Sequence, residues 1–361
     1  MLPYLGEIYG NPSSIHHVGR RARALLDDSR DRIATLWRCK PSEVVFTSGG
    51  TESNNLAVFG TARLLRKRGR HIITTQVEHP AVLHACEYLE KSEGFDVTYL
   101  PVTSEGLVTG EALIGALRPE TILVSIMAAN NESGSVQPVA ELGKICRERG
   151  ITFHTDAVQW FGKLPFESIH QFNADLVSVC AHKFHGPKGA GALYIRTPLH
   201  PDPIAFGGGH ENERRAGTEN LAGIIGFTDA FASFVPKPVF DPAMLTPLRT
   251  RLLEVLADLE SVGVYVRSPM RSVLPNTVAF TVNGSDSLTL LAALDLDGIC
   301  GSAGSACSSG SLEPSHVMRA MGVPAGQANA LVRLSMGREN TLADIEQVAA
   351  ALPGILARSR L

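Results

Sequence analysis

Seven short apolar runs, at 43–47, 71–77, 95–102, 121–128, 151–155, 174–181 and 190–195, are separated by helical patterns such as 18–36, 52–68, 79–92 and 138–149. Strands buried on both faces read as continuous apolar runs, and strands that alternate with helices pack as a parallel sheet covered on both sides. The expected fold is therefore α/β, a large domain built on a mostly parallel seven-stranded sheet. The proline-rich stretch Pro236-Lys237-Pro238-Val239-Phe240-Asp241-Pro242 interrupts the alternation and marks a boundary. Beyond it, a helix over 244–261, strands near 263–266 and 276–282 and a helix over 341–358 point to a smaller α+β domain. The expected division is 1–236 and 237–361. At 361 residues and 44% hydrophobic, the chain can bury one large core and a smaller one.

Open α/β sheets bind ligands outside the carboxyl ends of their strands, so the residues placed there carry the chemistry. The run Ala174-Asp175-Leu176-Val177-Ser178-Val179-Cys180-Ala181 leads into His182-Lys183 and then a glycine-rich turn to Gly189. Desolvation at such a position favours a neutral lysine amine, which forms Schiff bases with carbonyls, pyridoxal phosphate among them. A surface lysine after a strand would have the same sequence. Asp156 ends the run Ile151-Thr152-Phe153-His154-Thr155. A carboxylate there can pair with the protonated pyridine nitrogen of pyridoxal phosphate, or it can cap a helix. Its occurrence together with Lys183 favours the first reading.

The third strand end is Glu43-Val44-Val45-Phe46-Thr47, followed by Ser48-Gly49-Gly50-Thr51-Glu52-Ser53-Asn54-Asn55. Glycines that admit close backbone approach, free amides at a helix start and the Thr51 hydroxyl can hold a phosphate. An ordinary capped helix fits as well. No Gly-Lys-Ser/Thr follows, and no Gly-x-Gly-x-x-Gly after a strand supports a dinucleotide-binding oxidoreductase.

Taken together, these segments resemble the pyridoxal-phosphate-dependent cysteine desulfurases of the NifS/IscS type, within class V of the aminotransferase superfamily. The resemblance runs nearly end to end, through Gly10-Asn11-Pro12-Ser13-Ser14, Phe46 to Asn55, Glu78-His79-Pro80, Asn130-Asn131-Glu132, His182-Lys183, Arg214-Arg215-Ala216-Gly217-Thr218-Glu219-Asn220 and Gly304 to Ser315. It implies a fold-type-I transferase that works as a homodimer. It further implies that Lys183 binds the cofactor covalently, Asp156 faces the pyridine nitrogen, and Gln159 and Asn131 lie near the phenolic oxygen and the substrate side. His79 would stack on the ring and move protons. Gly50, Thr51 and His182 would hold the phosphate, with Thr218 reaching across from the second subunit. Cys180 stands where the family commonly has serine, and a thiol is a weaker donor, so looser cofactor retention is expected.

By the same resemblance, Cys307 attacks the sulfur of bound L-cysteine, leaving L-alanine and a Cys307 persulfide for an iron-sulfur scaffold protein or another acceptor. Its neighbours, Gly301-Ser302-Ala303-Gly304-Ser305-Ala306 and Ser308-Ser309-Gly310, are small, unlike a segment built to bury a cysteine. Cys300, after the apolar Leu294-Asp295-Leu296-Asp297-Gly298-Ile299, is expected to be packed. Arg333 matches the family arginine for the substrate carboxylate, a task suited to a bidentate guanidinium; Arg338 is the alternative. A selenocysteine lyase, another class V enzyme or a catalytically weakened scaffold stay open.

The net charge of −3 gives no reason to invoke nucleic acid or an anionic membrane. Six cysteines without Cys-x-x-Cys or zinc spacing predict no metal site and suit a reducing cytoplasm. No apolar run is long enough to span a bilayer, and Met1 to Glu7 has no signal-peptide character. Family members carry a further segment before the equivalent of Met1. From this the expectation is a folded, cofactor-binding dimer with poor turnover.

Overall fold

Each of the seven apolar runs forms one strand of a single sheet in the computed structural model, which describes residues 1–304 and 314–359. The strands are β1 (Val44–Thr47), β2 (His71–Thr75), β3 (Asp96–Leu100), β4 (Thr121–Ser125), β5 (Thr152–Asp156), β6 (Leu176–Cys180) and β7 (Gly191–Ile195). Their order is β1-β7-β6-β5-β4-β2-β3. Strand β7 runs antiparallel to both of its neighbours, and the remaining pairs are parallel. The carboxyl ends of β1, β5 and β6 therefore share one edge of the sheet. All residues of β1, β2, β4, β6 and β7 are buried, as their mostly apolar character leads one to expect of strands covered on both faces, whereas the edge strand β3 begins on exposed Asp96.

One polar link crosses the centre of this apolar sheet. His154, in β5, lies with Nδ1 2.8 Å from Ser125 Oγ of β4 and Nε2 3.0 Å from Ser178 Oγ of β6. The two hydroxyls satisfy both ring nitrogens, so burial does not leave either one orphaned.

The chain divides into two compact units. The first comprises 1–100, 110–128 and 138–239, and the second 101–109, 129–137 and 240–361. The second unit has an antiparallel sheet of order β10-β9-β8, from β8 (Val264–Val266), β9 (Thr277–Val282) and β10 (Leu331–Ser335). Helices Pro242–Asp258, Ser287–Leu296 and Leu342–Ser359 supply Leu252, Leu290, Ile345 and Leu352 to a core shared with Val278, Phe280 and Val332. No helix among the described residues is long and apolar enough to cross a membrane.

Several features are not legible as elements, among them the helix Ser287–Leu296. The helix Leu221–Phe234 is buried at nine of its fourteen positions, so it lacks the one-sided pattern that signals a surface helix. The expected helix 52–68 contains a π-helical turn, Leu56–Gly60, between α-helical Gly50–Asn55 and Thr61–Leu65. Strand β10 is likewise unpredicted, its Leu331-Val332-Arg333-Leu334-Ser335 being short and interrupted by a charge.

Burial drives the His154 pKa from its ordinary 6.5 down to about 3. Folding disfavours its protonated form, so its contribution to stability is whole above pH 6.5 and is lost as pH falls from there towards 3. The melting temperature of His154→Asn should fall less steeply than wild type between pH 6.5 and 4. Parallel slopes would place the acid sensitivity on other groups.

Candidate functional site

Strand β1 runs into Ser48-Gly49, and Gly49 adopts φ +150°, a conformation that side chains disfavour. A Cβ on Gly50 would sit 2.9 Å from Val158 Cγ2, and one on Gly191 would sit 2.7 Å from Gly49 Cα. Gly49 by its φ and Gly191 by its approach to the Gly49 backbone favour glycine, a side chain at Gly50 would displace Val158, and the result is a bare backbone turn opening the helix at Gly50. Glu52 braces the turn, accepting from Ser48 N–H at 2.7 Å and from Arg215 Nε at 2.7 Å. Burial pushes its carboxyl pKa up, but these hydrogen bonds outweigh burial and hold it below the usual value. Thr51 stands exposed at the first turn.

Beyond β6 the chain makes a 3₁₀ turn, Ala181–Phe184, which leaves His182 exposed and Lys183 half-buried. Cys180 is buried, with Sγ 2.9 Å from His182 Nδ1. Burial raises its thiol pKa, partly offset by the backbone N–H groups of Gly50 and His182 that donate to it. The sulfur thus joins the Gly50 turn to the His182 turn. Partial burial of the ring, with the charges of Lys183, Lys188 and Lys163, lowers the His182 pKa.

Asp156 ends β5 with 5% exposure. Asn54 Nδ2 donates to its Oδ2 at 2.6 Å and Val158 N–H to its Oδ1 at 3.0 Å, so the carboxylate also caps the turn that follows it. On that turn, Lys163 Nζ donates to Gln159 Oε1. Strand β2 leads to Glu78 and His79. Glu78 is fully buried, and burial raises its carboxyl to about 8, with the charge of Asp156 adding to the shift. Its Oε1 accepts from Thr75 Oγ1 at 2.8 Å and Met127 N–H at 2.9 Å. His79 caps the helix Pro80–Glu93, Nδ1 accepting from Ala81 N–H at 3.0 Å. Its neutral ring therefore carries the proton on Nε2. Asn55 Nδ2 reaches the Ala81 carbonyl at 2.8 Å and links this helix to the Gly50 helix.

Contacts thus join Gly50, Cys180 and His182 directly and Asp156 to the Gly50 helix through Asn54, with Thr51, Gln159 and Lys183 on the same turns and His79 on the helix that Asn55 ties to them. Thr218 is exposed, on a segment that follows Glu211, Asn212 and Glu213, all three with positive φ. Arg30 pins that segment, holding buried Glu211 at 2.8 and 2.6 Å.

Asn131 and Arg333 belong to the second unit. Arg333, on β10, donates from Nη1 to the Asn131 carbonyl. Its Nε is buried and has no partner among the described residues, and burial lowers the guanidinium pKa against the opposing charge of Glu132. Such a group is suited to an incoming carboxylate. Cys300 corrects the expectation of a packed thiol: it is exposed, while Ile299 next to it is buried after the left-handed Gly298. Cys307 lies outside the described residues.

Asn54, Glu52 and Glu78 carry no individual signal in the sequence, although they stand inside Ser48-Gly49-Gly50-Thr51-Glu52-Ser53-Asn54-Asn55 and Glu78-His79-Pro80. Lys163 had no signal beyond its spacing of four from Gln159, which a single turn makes meaningful.

The aminotransferase class-V family model matches residues 1–348. The chain is 46% identical over 360 residues to "Cysteine desulfurase IscS" of Dictyoglomus turgidum, covering 100% of this chain and 91% of that relative. It is 44% identical over 360 residues to the cysteine desulfurase IscS of Methanosarcina thermophila, covering 100% and 88%. Among solved structures, a NifS-like protein aligns with TM-score 0.90 and 36% identity over 99% of this chain and 94% of its own. SspA in complex with cysteine aligns with TM-score 0.81 and 34% identity over 94% of each chain.

A hydroxyl at position 180 is a stronger donor to an anion than the thiol. A net gain of about 0.5–1.5 kcal/mol for one such bond slows cofactor loss roughly 2- to 10-fold. Cys180→Ser, loaded with pyridoxal phosphate and dialysed, should retain the cofactor longer by that factor. Unchanged or faster loss would show that residue 180 does not limit phosphate binding.

Proposed function

The chain belongs to the class V aminotransferase family, and on that premise we propose that it is a cysteine desulfurase, which converts L-cysteine to L-alanine and carries the sulfur as a persulfide on Cys307. The observation that supports this most is the pairing of β5 with β6, which sets a buried carboxylate, Asp156, beside the turn that bears Lys183. Enzymes of this family use pyridoxal 5′-phosphate, which when bound supplies an electron sink for bonds broken at the substrate carbons.

The residues present fit that cofactor. Asp156, already fixed by Asn54 and Val158, offers its carboxylate to the ring nitrogen. Lys183 offers its amine to the carbonyl carbon. Gln159 and Asn131 serve the phenolic oxygen and the substrate side. The bare Gly50 turn, Thr51, His182 and Cys180 receive the phosphate, and Thr218 completes that end from the second subunit of a homodimer. Arg333 gives its unsatisfied Nε edge to the substrate carboxylate and so fixes the orientation of the amino acid. His79, its ring held through Nδ1, presents the Nε2 proton for transfer at the substrate.

The Cys307 thiolate then forms a sulfur–sulfur bond as the substrate carbon–sulfur bond breaks, and the carbon takes a proton to become the methyl group of alanine. The persulfide passes its outer sulfur to an acceptor such as an iron-sulfur scaffold protein, in the cytoplasm. The exposure of Cys300 favours one second reading, in which that thiol rather than Cys307 takes the sulfur.

Borohydride reduction of the loaded protein should fix cofactor on Lys183. Lys183→Ala should lose both the adduct and desulfuration, and Lys188→Ala should keep the adduct. A label mapped to Lys188 would overturn the assignment. Cys307→Ser should bind cofactor and L-cysteine yet accumulate no persulfide. Wild-type sulfide release by this variant under reducing conditions would transfer the nucleophile's role to Cys300.

A further inference from the structure

Lys163 has 5% exposure, an unusual place for an ammonium, since burying a charge is costly unless hydrogen bonds compensate. It stands at the end of the turn that starts from Asp156. There Trp160 N–H donates to the Ala157 carbonyl at 2.9 Å, and Lys163 and Leu164 N–H each donate to the Trp160 carbonyl at 3.1 Å. This winding brings residues 159 and 163 onto one face, and Lys163 Nζ donates to Gln159 Oε1.

The chemistry of the donor determines the orientation of the amide. An ammonium has three donors and no acceptor, so the Gln159 amide must face it with oxygen and turn its Nε2 amino group the other way. Without that constraint the two ends of the amide are nearly equivalent in shape, and either could face the cofactor. An ionised phenolic oxygen needs a donor, and an amide oxygen turned towards it would repel it.

We infer that Lys163 is a positioning residue, which does not touch the cofactor but locks the Gln159 amide so that Nε2 is the end offered to the phenolic oxygen. The inference rests on the placement of Gln159 proposed above.

The test is a pH titration of the visible band of the protein loaded with pyridoxal phosphate, without substrate. An ionised oxygen that loses its donor becomes more basic and holds the proton it shares with the neighbouring nitrogen more tightly. Gln159→Ala and Lys163→Met should each raise the titration midpoint by about 0.4–1 pH unit. Lys163→Arg, which keeps the donor, should return it towards wild type. The double variant should shift no further than Gln159→Ala alone, because the lysine acts through the amide. Should Lys163→Met not fold, Lys163→Leu replaces it, a smaller apolar side chain that likewise has no donor.

A wild-type midpoint in Lys163→Met or Lys163→Leu alongside a shifted Gln159→Ala would overturn the inference. So would additive shifts in the double variant. An unmoved midpoint in Gln159→Ala would instead overturn the placement of Gln159, and the role of Lys163 with it.

Discussion

The hydrogen bond from Asn54 to Asp156, at 2.6 Å, is the contact on which the rest of the site depends. A carboxylate with 5% exposure is tolerable only if its oxygens are bonded, and Asn54 and the Val158 amide take one oxygen each. Asn54 lies on the helix that opens at Gly50. The same bond that makes the buried charge stable therefore ties the Gly50 turn to the carboxyl end of β5. Its removal would leave a buried anion short of a donor and also separate the two ends of the cradle.

Sheet register does the remaining positioning. Asp156 pairs with Ser178, so β6 extends two residues further, to Cys180, before the turn that presents Lys183. His154, two residues before Asp156 in β5, bridges Ser125 and Ser178 and couples β4, β5 and β6 beneath the site. Glu78 adds a different kind of control. Burial holds its proton to about pH 8, so at neutral pH a second negative charge beside Asp156 is avoided.

The strands and the strand-end residues were legible in the sequence because both are local: apolar runs mark strands, and Lys183 and Asp156 lie where those runs stop. What escaped was contact made across the fold. The role of Asn54 depends on a residue 102 positions away. Lys163 reads as an ordinary surface lysine until the turn after Asp156 is seen to bury it. The helix Leu221–Phe234 is too apolar all round to show a period, and Cys300 was assigned to the core by its neighbour Ile299, which takes that place instead. The orphaned Nε of Arg333 likewise depends on β10, a strand that pairs with β9 and the Ser302 backbone.

The central claim is that a carboxylate fixed at the end of β5 makes this chain competent to break the carbon–sulfur bond of L-cysteine. Alanine and sulfide measured together, after incubation of wild type and Asp156→Asn with L-cysteine, pyridoxal phosphate and a reductant, test it most directly. Asparagine keeps the shape and can still accept from Asn54 but carries no charge. Wild type should release alanine and sulfide in equal amounts, and Asp156→Asn should release almost none of either while staying folded. Equal product from both proteins, or sulfide without alanine from wild type, would contradict the account.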